Sequence, residues 1–299
     1  MREASYIDLF TSQVGVFGGI QKPREEADYI IIGVPLDLTG SFRRGTAFAP
    51  LTIREASKSL ELYSIRTGIS IEDLKVHDAG DFHVTGDLEE TLANLEKTTR
   101  EILGQSDIPV LIGGEHTLAL GAVAGIPERF GLVYFDAHMD ARNEYMNRRL
   151  SHATVLRRIC EEIKPEKIVQ VGVRAASKDE IKYAESQGIT YITTHSILKN
   201  GVEQAAKTVN RELDECNSLY ITIDMDVLDP SIAPAVQNPE PEGLTSYALL
   251  ELMHKVCGKD VIGFDLVEVS PVYDSGGTAI TAAKIIFETM SFVQASRNS

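Results

Sequence analysis

Four short segments of this 299-residue chain place acids and histidines directly after apolar runs. They are Gly113-Gly-Glu-His-Thr117, Phe135-Asp-Ala-His-Met-Asp140, Asp224-Met-Asp226 and Phe264-Asp-Leu-Val-Glu268. The first three offer His116, Asp136, His138, Asp140, Asp224 and Asp226, four carboxylates and two imidazoles with no thiol among them. Side chains alternate along extended backbone. Asp136, His138 and Asp140 therefore project to one side if the chain stays extended past Phe135, and Asp224 and Asp226 do so on another strand. Buried carboxylates left unpaired are very costly, so their crowding at strand ends demands cations. A pair of divalent metals is the natural resolution, and a metal pair implies hydrolytic chemistry. The donor set is hard and oxygen-rich, which suits Mn²⁺ better than a sulfur-seeking metal. Mg²⁺ accepts imidazole less readily, and Zn²⁺, Co²⁺ or Fe²⁺ would bind by affinity order. Shared carboxylates can hold two ions ~3.5–4 Å apart with a water between them.

The elements that must position these groups are visible as apolar runs: Tyr29–Gly33, Lys75–His77, Val110–Gly113, Leu132–Phe135, Ile168–Gly172, Thr190–Ile192, Leu219–Ile223 and Val261–Leu266. Most are continuous rather than alternating, as expected of strands buried on both faces of a parallel sheet. Amphipathic helix candidates fill most of the gaps: Leu51–Leu62, Leu88–Ile102, His152–Ile163, Lys178–Ser186, Val202–Cys216, Ser246–Val256 and Ala279–Val293. Strand–helix alternation over the full length predicts an α/β fold with a mainly parallel sheet. No linker, repeat or low-complexity tract divides it, so one domain over residues 1–299 is expected. Ligands of open parallel sheets sit beyond the carboxyl ends of the strands. All four segments lie there, which lets residues distant in sequence converge.

Composition narrows the partners. A formal charge of −15 argues against nucleic acid or an anionic membrane surface and fits a cationic substrate. Cys160, Cys216 and Cys257 are far apart and form no CxxC pair, so neither a zinc knuckle nor a disulfide framework is supported. The N-terminus lacks an apolar signal core, and no stretch approaches the ~20 apolar residues of a membrane span. A soluble cytoplasmic protein is expected. There is no GxxxxGK[ST] phosphate loop and no GxGxxG in a βαβ context.

Taken together, GGEHT, FDAHMDAR, SHATVLRRI, DMDVLDPSIAPAVQNPEPEGL and GFDLVEVSP resemble the ureohydrolase (arginase/agmatinase) family, and most closely its microbial agmatinases. With GSFRRGTAFAPLTIREAS the resemblance is nearly full length. It implies a three-layer α/β/α fold around an eight-stranded, mainly parallel sheet, assembled as trimers or hexamers. It also implies two Mn²⁺ per chain on His116, Asp136, His138, Asp140, Asp224 and Asp226. The expected reaction is hydrolysis of agmatine to putrescine and urea, a step of polyamine metabolism, by a metal-bridging hydroxide. The alternatives are guanidinobutyrate, aminopropylagmatine or arginine as substrate, or a metal-binding scaffold without turnover.

A guanidinium carbon is a poor electrophile, so the site also needs an anion for the planar cation and an acid near the leaving nitrogen. Glu268, after an apolar run, suits paired hydrogen bonds to guanidinium N–H groups, whereas Asp265 should point to the opposite face of its strand. Asp140 can also orient the nucleophile. The family counterpart of His152 is taken to be the proton shuttle, and its unperturbed pKa near ~6.5 suits that task. The segment between Asp140 and His152 resembles agmatinases rather than arginine-specific members. Glu144 or Glu240 are candidate partners for an amine-ended tail, and Asn143 a further substrate contact. Asn143, Gln237 and Glu242 depart from similar sequences, the last two replacing glycines. Arg148 or Arg149 near the mouth would favour a carboxylate-ended substrate. Of the remaining histidines, His83 is the one expected to border the pocket.

Overall fold

The computed structural model describes residues 5–298, so Met1–Ala4 and Ser299 of the expected domain lie outside the described residues. One sheet of nine strands runs through it: β1 (Thr11–Ser12), β2 (Tyr29–Val34), β3 (Val76–Phe82), β4 (Ile108–Gly113), β5 (Gly131–Phe135), β6 (Lys167–Val173), β7 (Thr190–Thr193), β8 (Ser218–Asp224) and β9 (Asp260–Val267). Their spatial order is β1-β3-β2-β4-β9-β8-β5-β6-β7. Eight strands are mutually parallel. The expected count of eight is corrected by β1, which pairs antiparallel with β3 through Thr11↔Phe82 and Ser12↔Asp81. Two residues are too few to carry a period-2 signal, and β1 exists because the edge of β3 offers it backbone partners.

The helices are α1 (Tyr6–Phe10), α2 (Ala49–Ser57), α3 (Leu88–Gly104), α4 (Leu118–Ala124), α5 (Val155–Arg158), α6 (Lys178–Gln187), α7 (Thr194–Asn200), α8 (Val202–Glu212), α9 (Ser246–Val256) and α10 (Gly277–Arg297). They cover both faces of the sheet. In β2, Tyr29 and Ile31 join a core with Ile53 of α2, Val209 of α8, Leu249 of α9 and Ile286 of α10. The alternating Ile30 and Ile32 join the opposite core with Leu95 of α3, Leu118 of α4 and Leu156 of α5. This is the three-layer α/β/α arrangement, and it explains the continuous apolar runs: both strand faces are dry. The sequence reading passed over α4 because six of its seven residues are buried and no polar face marks a helical period. Among the described residues, no helix is long and apolar enough to cross a membrane.

Candidate active site

The four central neighbours β4, β9, β8 and β5 bring the four acid-bearing segments side by side at their carboxyl ends. After β4 the chain must pass close to the exit of β2. A Cβ on Gly114 would lie 2.0 Å from the Leu36 carbonyl oxygen, so only glycine fits. That passage delivers His116, fully buried, to the mouth of the sheet. Its Nδ1 lies 3.2 Å from Asp136 Oδ2, 3.2 Å from Asp224 Oδ2 and 3.6 Å from Asp140 Oδ2. The second imidazole, His138, sets Nδ1 2.9 Å from Asp226 Oδ2 and 3.6 Å from Asp136 Oδ1. Two groups of donor atoms close enough to share a cation result, His116–Asp136–Asp140 and Asp136–His138–Asp226, with Asp136 common to both. Asp224 stands outside both groups but borders the first, and its Oδ1 accepts the Asp226 N–H at 2.8 Å.

Partners beyond this set orient it. Thr222 Oγ1 donates to Asp265 Oδ1, so toward His116 Nε2, 2.9 Å away, it is an acceptor. The proton of His116 thus sits on Nε2, and the Nδ1 lone pair faces the carboxylates, as a metal-ligating imidazole requires. Asp265 also accepts from Tyr220, and burial is the main cause that lifts its carboxyl to about 6. Tyr134 stacks on His116 with ring centroids 4.5 Å apart and donates to Asp140 Oδ2 at 3.1 Å. Sequence reasoning gave Thr222 and Tyr134 no role, because inside apolar strand runs they read as ordinary filling. Asp265 does face away from the pocket, as expected, and acts from beneath through Thr222.

Charge is the dominant feature of the cluster. Burial, with Asp136 next, pushes the Asp140 carboxyl well above its ordinary range. Burial, with Asp226 and then Asp136, does the same for Asp224. Burial would raise Asp136 too, but the adjacent His116 and His138 outweigh it and hold that carboxyl low. For His138, burial lowers the pKa and the carboxylates of Asp226 and Asp136 overcome it, lifting it to about 12. The protein groups alone therefore share too few positive charges. Asp136 Oδ2 is buried with no hydrogen-bond donor at all. Hard donors, an orphaned carboxylate oxygen and excess negative charge fit a pair of divalent cations.

Above the cluster opens a cavity of about 520 Å³, bordered by His138, Asp140, Asp224 and Asp226 and further by Tyr145, His152, Glu180, Glu240 and Glu268. Asp140 and Glu268 both take left-handed backbone, at φ 50° and 70°, each a cost of roughly 1–3 kcal/mol for a non-glycine residue. The surroundings hold them there. The Asp140 carbonyl accepts from Leu156 N, while Glu268 donates its N–H to Gly114 O and accepts from Gln237 N. Glu268 Oε1 accepts the His116 N–H at 2.6 Å, whereas Oε2 is buried and unpartnered. Burial, opposed by that N–H and reinforced by Glu115 and Asp226, pushes this carboxyl well up. A cation at Oε2 would relieve it.

Not every candidate arrives. Asn143 does not border the cavity; its backbone and side-chain oxygens face Arg158 Nη2 at 3.3 and 3.5 Å. Glu144 is exposed outside the cavity, and His83 bonds Ser12 Oγ at the sheet edge instead. Arg148 donates to Leu38 O, and Arg149 pairs with Glu161 and Glu162. Glu242, standing where similar sequences have glycine, keeps a left-handed turn at φ 62°. A residue missed altogether is Arg174, at the end of β6. Its guanidinium donates to the carbonyls of Asp226 and Leu228 on one side and of Glu240 and Pro241 on the other. It ties the loop after β8 to the rim of the cavity.

The fold is a three-layer α/β/α, and the cluster at its strand ends is one that could hold metal ions. The Arginase family model matches residues 27–291, and the chain belongs to that family. It is 37% identical to the agmatinase of Bacillus subtilis (strain 168) over 273 residues, covering 89% of this chain and 92% of the other. It is 33% identical to the guanidinobutyrase of Pseudomonas aeruginosa, over 91% of this chain and 88% of that one. The crystal structure of the agmatine ureohydrolase of Thermoplasma volcanium superposes with a TM-score of 0.88 at 33% identity, covering 99% of both chains. The protein is an agmatinase-like ureohydrolase, acting on guanidino C–N bonds.

Proposed function

We propose that this protein is a manganese-dependent agmatinase, cleaving the guanidinium group of agmatine to putrescine and urea, and that residues 1–299 form one ureohydrolase domain. The observation that carries the reading is Glu268 Oε2, a buried acceptor with no partner, on a residue that borders the cavity beside the carboxylate–imidazole cluster. His116, Asp136 and Asp140 would hold one Mn²⁺ and Asp136, His138 and Asp226 the second, with Asp224 in reach of the first. When bound, the pair supplies Lewis acidity and lowers the pKa of a shared water toward neutrality.

The chain's own groups do the rest. Glu268 takes guanidinium N–H donors at Oε2 and fixes the plane of the cation above the cluster. Asp140 accepts a proton at its carboxylate, with Tyr134 fixing the orientation of Oδ2. His152, buried at the cavity wall, carries a proton to the leaving amine at Nε2. Burial, and then the charge of His138, hold its imidazole down to about 4, so it starts as the neutral base and takes up at Nε2 the proton it then passes on. Glu240 lies on the cavity wall, where its carboxylate would meet a terminal ammonium. The agmatinase relative favours this substrate, and the guanidinobutyrase relative keeps a carboxylate-ended one as the second reading.

The test is urea release from Mn²⁺-loaded protein with agmatine, guanidinobutyrate, aminopropylagmatine and arginine compared by kcat/KM. Agmatine is expected to lead. A higher value for guanidinobutyrate would transfer the assignment to the second reading, and no urea from any of the four would end both.

A further inference from the structure

One hydroxyl group decides which nitrogen of His152 is available. Glu115 is fully buried behind the cavity and outside the metal-type cluster. Its carboxylate accepts four hydrogen bonds: Leu38 N–H at 2.7 Å and Thr39 N–H at 2.6 Å on Oε2, Thr39 Oγ1 and Thr117 Oγ1 at 2.7 Å on Oε1. A carboxylate has about four acceptor positions, and all are filled by donors. Thr39 therefore spends its only proton on Glu115.

What remains on Thr39 Oγ1 is two lone pairs. One lies 3.1 Å from the His152 backbone N–H, which donates to it. The other faces His152 Nδ1, also at 3.1 Å. With no proton left to give, Thr39 can meet that nitrogen only as an acceptor, so Nδ1 must carry the hydrogen. Nε2 is then the unprotonated nitrogen. It faces Ser41 Oγ at 3.2 Å, nearer than the 3.4 Å from that hydroxyl to Asn238 Oδ1, so the Ser41 proton can turn to Nε2, and Ser41 and His152 both border the cavity. Tyr145 packs edge-on against the imidazole with centroids 5.7 Å apart, which fixes the ring plane as well.

We propose that Thr39, polarised by Glu115, is a positioning residue that locks His152 in the Nδ1–H tautomer and turns its basic Nε2 toward the substrate. The proposal rests on the reading of His152 as the proton carrier of a ureohydrolase. It adds a role for a loop that leaves β2, far from the metal-type motifs in sequence.

The tautomer can be read without turnover, by long-range ¹H–¹⁵N correlation on protein labelled with ¹⁵N-histidine and loaded with diamagnetic Zn²⁺. The His152 signals are assigned by their loss in His152→Asn. Wild type and Thr39→Ser are expected to show a pyrrole-type Nδ1 and a pyridine-type Nε2. Thr39→Val, close in shape but without the acceptor, should shift His152 toward the opposite tautomer. In the Mn²⁺ enzyme it should lower kcat by roughly 10–100-fold, part of the ~10²–10⁴ that general acid–base catalysis contributes. Its KM should hold within about twofold, and Thr39→Ser should restore kcat. A pyridine-type Nδ1 in wild type, or an unchanged tautomer in Thr39→Val, overturns the role of Thr39 whatever the kinetics. The expected tautomers with no urea from any guanidino compound leave Thr39's lock on His152 standing and refute the ureohydrolase reading instead.

Discussion

The floor of the cavity and its mouth are built on different principles. On the floor, the acids stand within a few residues of a central strand end, and two of them sit in left-handed backbone that neighbouring main-chain bonds enforce. At the mouth, Asn143, Glu144 and Arg148 ride on loops and are exposed, while Glu240 is half-buried with only its backbone anchored, through Arg174. Strain and burial are tolerated where many bonds over-determine a residue. The floor is over-determined by its main-chain bonds and burial. The mouth is held by fewer such bonds, and it is where a substrate tail would be read.

The sharpest way to break this contrast is at its most shared atom group. Asp136 belongs to both donor groups, so Asp136→Ala should abolish bound Mn²⁺ and urea release together. The loss should exceed the ~10–100-fold that removal of an outer partner of a metal site costs. Metal analysis on the purified variant decides it. Two retained ions would show that Asp136 does not bridge, and the floor would not be the unit described.

Legibility followed the same division. The expected extended chain does not direct the donors, since Asp226 lies in a 3₁₀ turn over Met225–Val227 and Asp140 in left-handed backbone, but the candidate donors could be read from sequence because they follow apolar runs. The eight parallel strands were visible for the same reason. Thr222, Tyr134 and Asp265 were not, since their contribution depends on which strand lies beside which: Thr222 meets Asp265 only because β8 pairs with β9 in that register. Thr39 and Glu115 were hidden similarly, 76 positions apart and joined only where β2 and β4 lie together. Asn143 faces Arg158 rather than the cavity because a loop residue's direction is set by tertiary partners, and no periodicity reports that.

A second variant separates binding of the guanidinium from construction of the floor. In Glu268→Gln the Oε1 position can still accept the His116 N–H, but an amide N–H then faces the donors of the substrate. Breaking a buried charge-assisted pair costs ~2–5 kcal/mol, so kcat/KM should fall by about 10²–10³-fold. Bound metal should stay at the wild-type level. Steady-state kinetics paired with metal analysis reads both, and a loss under threefold, or a parallel loss of metal, would remove Glu268 from its place as guanidinium acceptor.

The smallest effect is expected at the mouth, and it is the one that bears on substrate. Glu240 is half-buried, so a contact between its carboxylate and a terminal ammonium is screened by water; exposed ion pairs contribute ~0.2–1 kcal/mol. Glu240→Gln should therefore raise KM for agmatine by only about two- to fivefold and leave kcat unchanged. The sign across substrates matters more than the size. An amine-ended substrate loses an attraction, whereas guanidinobutyrate loses a repulsion and should bind slightly better. If KM for both moves the same way, Glu240 does not meet the tail. Recognition would then fall to Glu180 on the cavity wall, whose carboxylate already accepts from Ala141 N and Ser177 N and so is less free to turn toward a ligand.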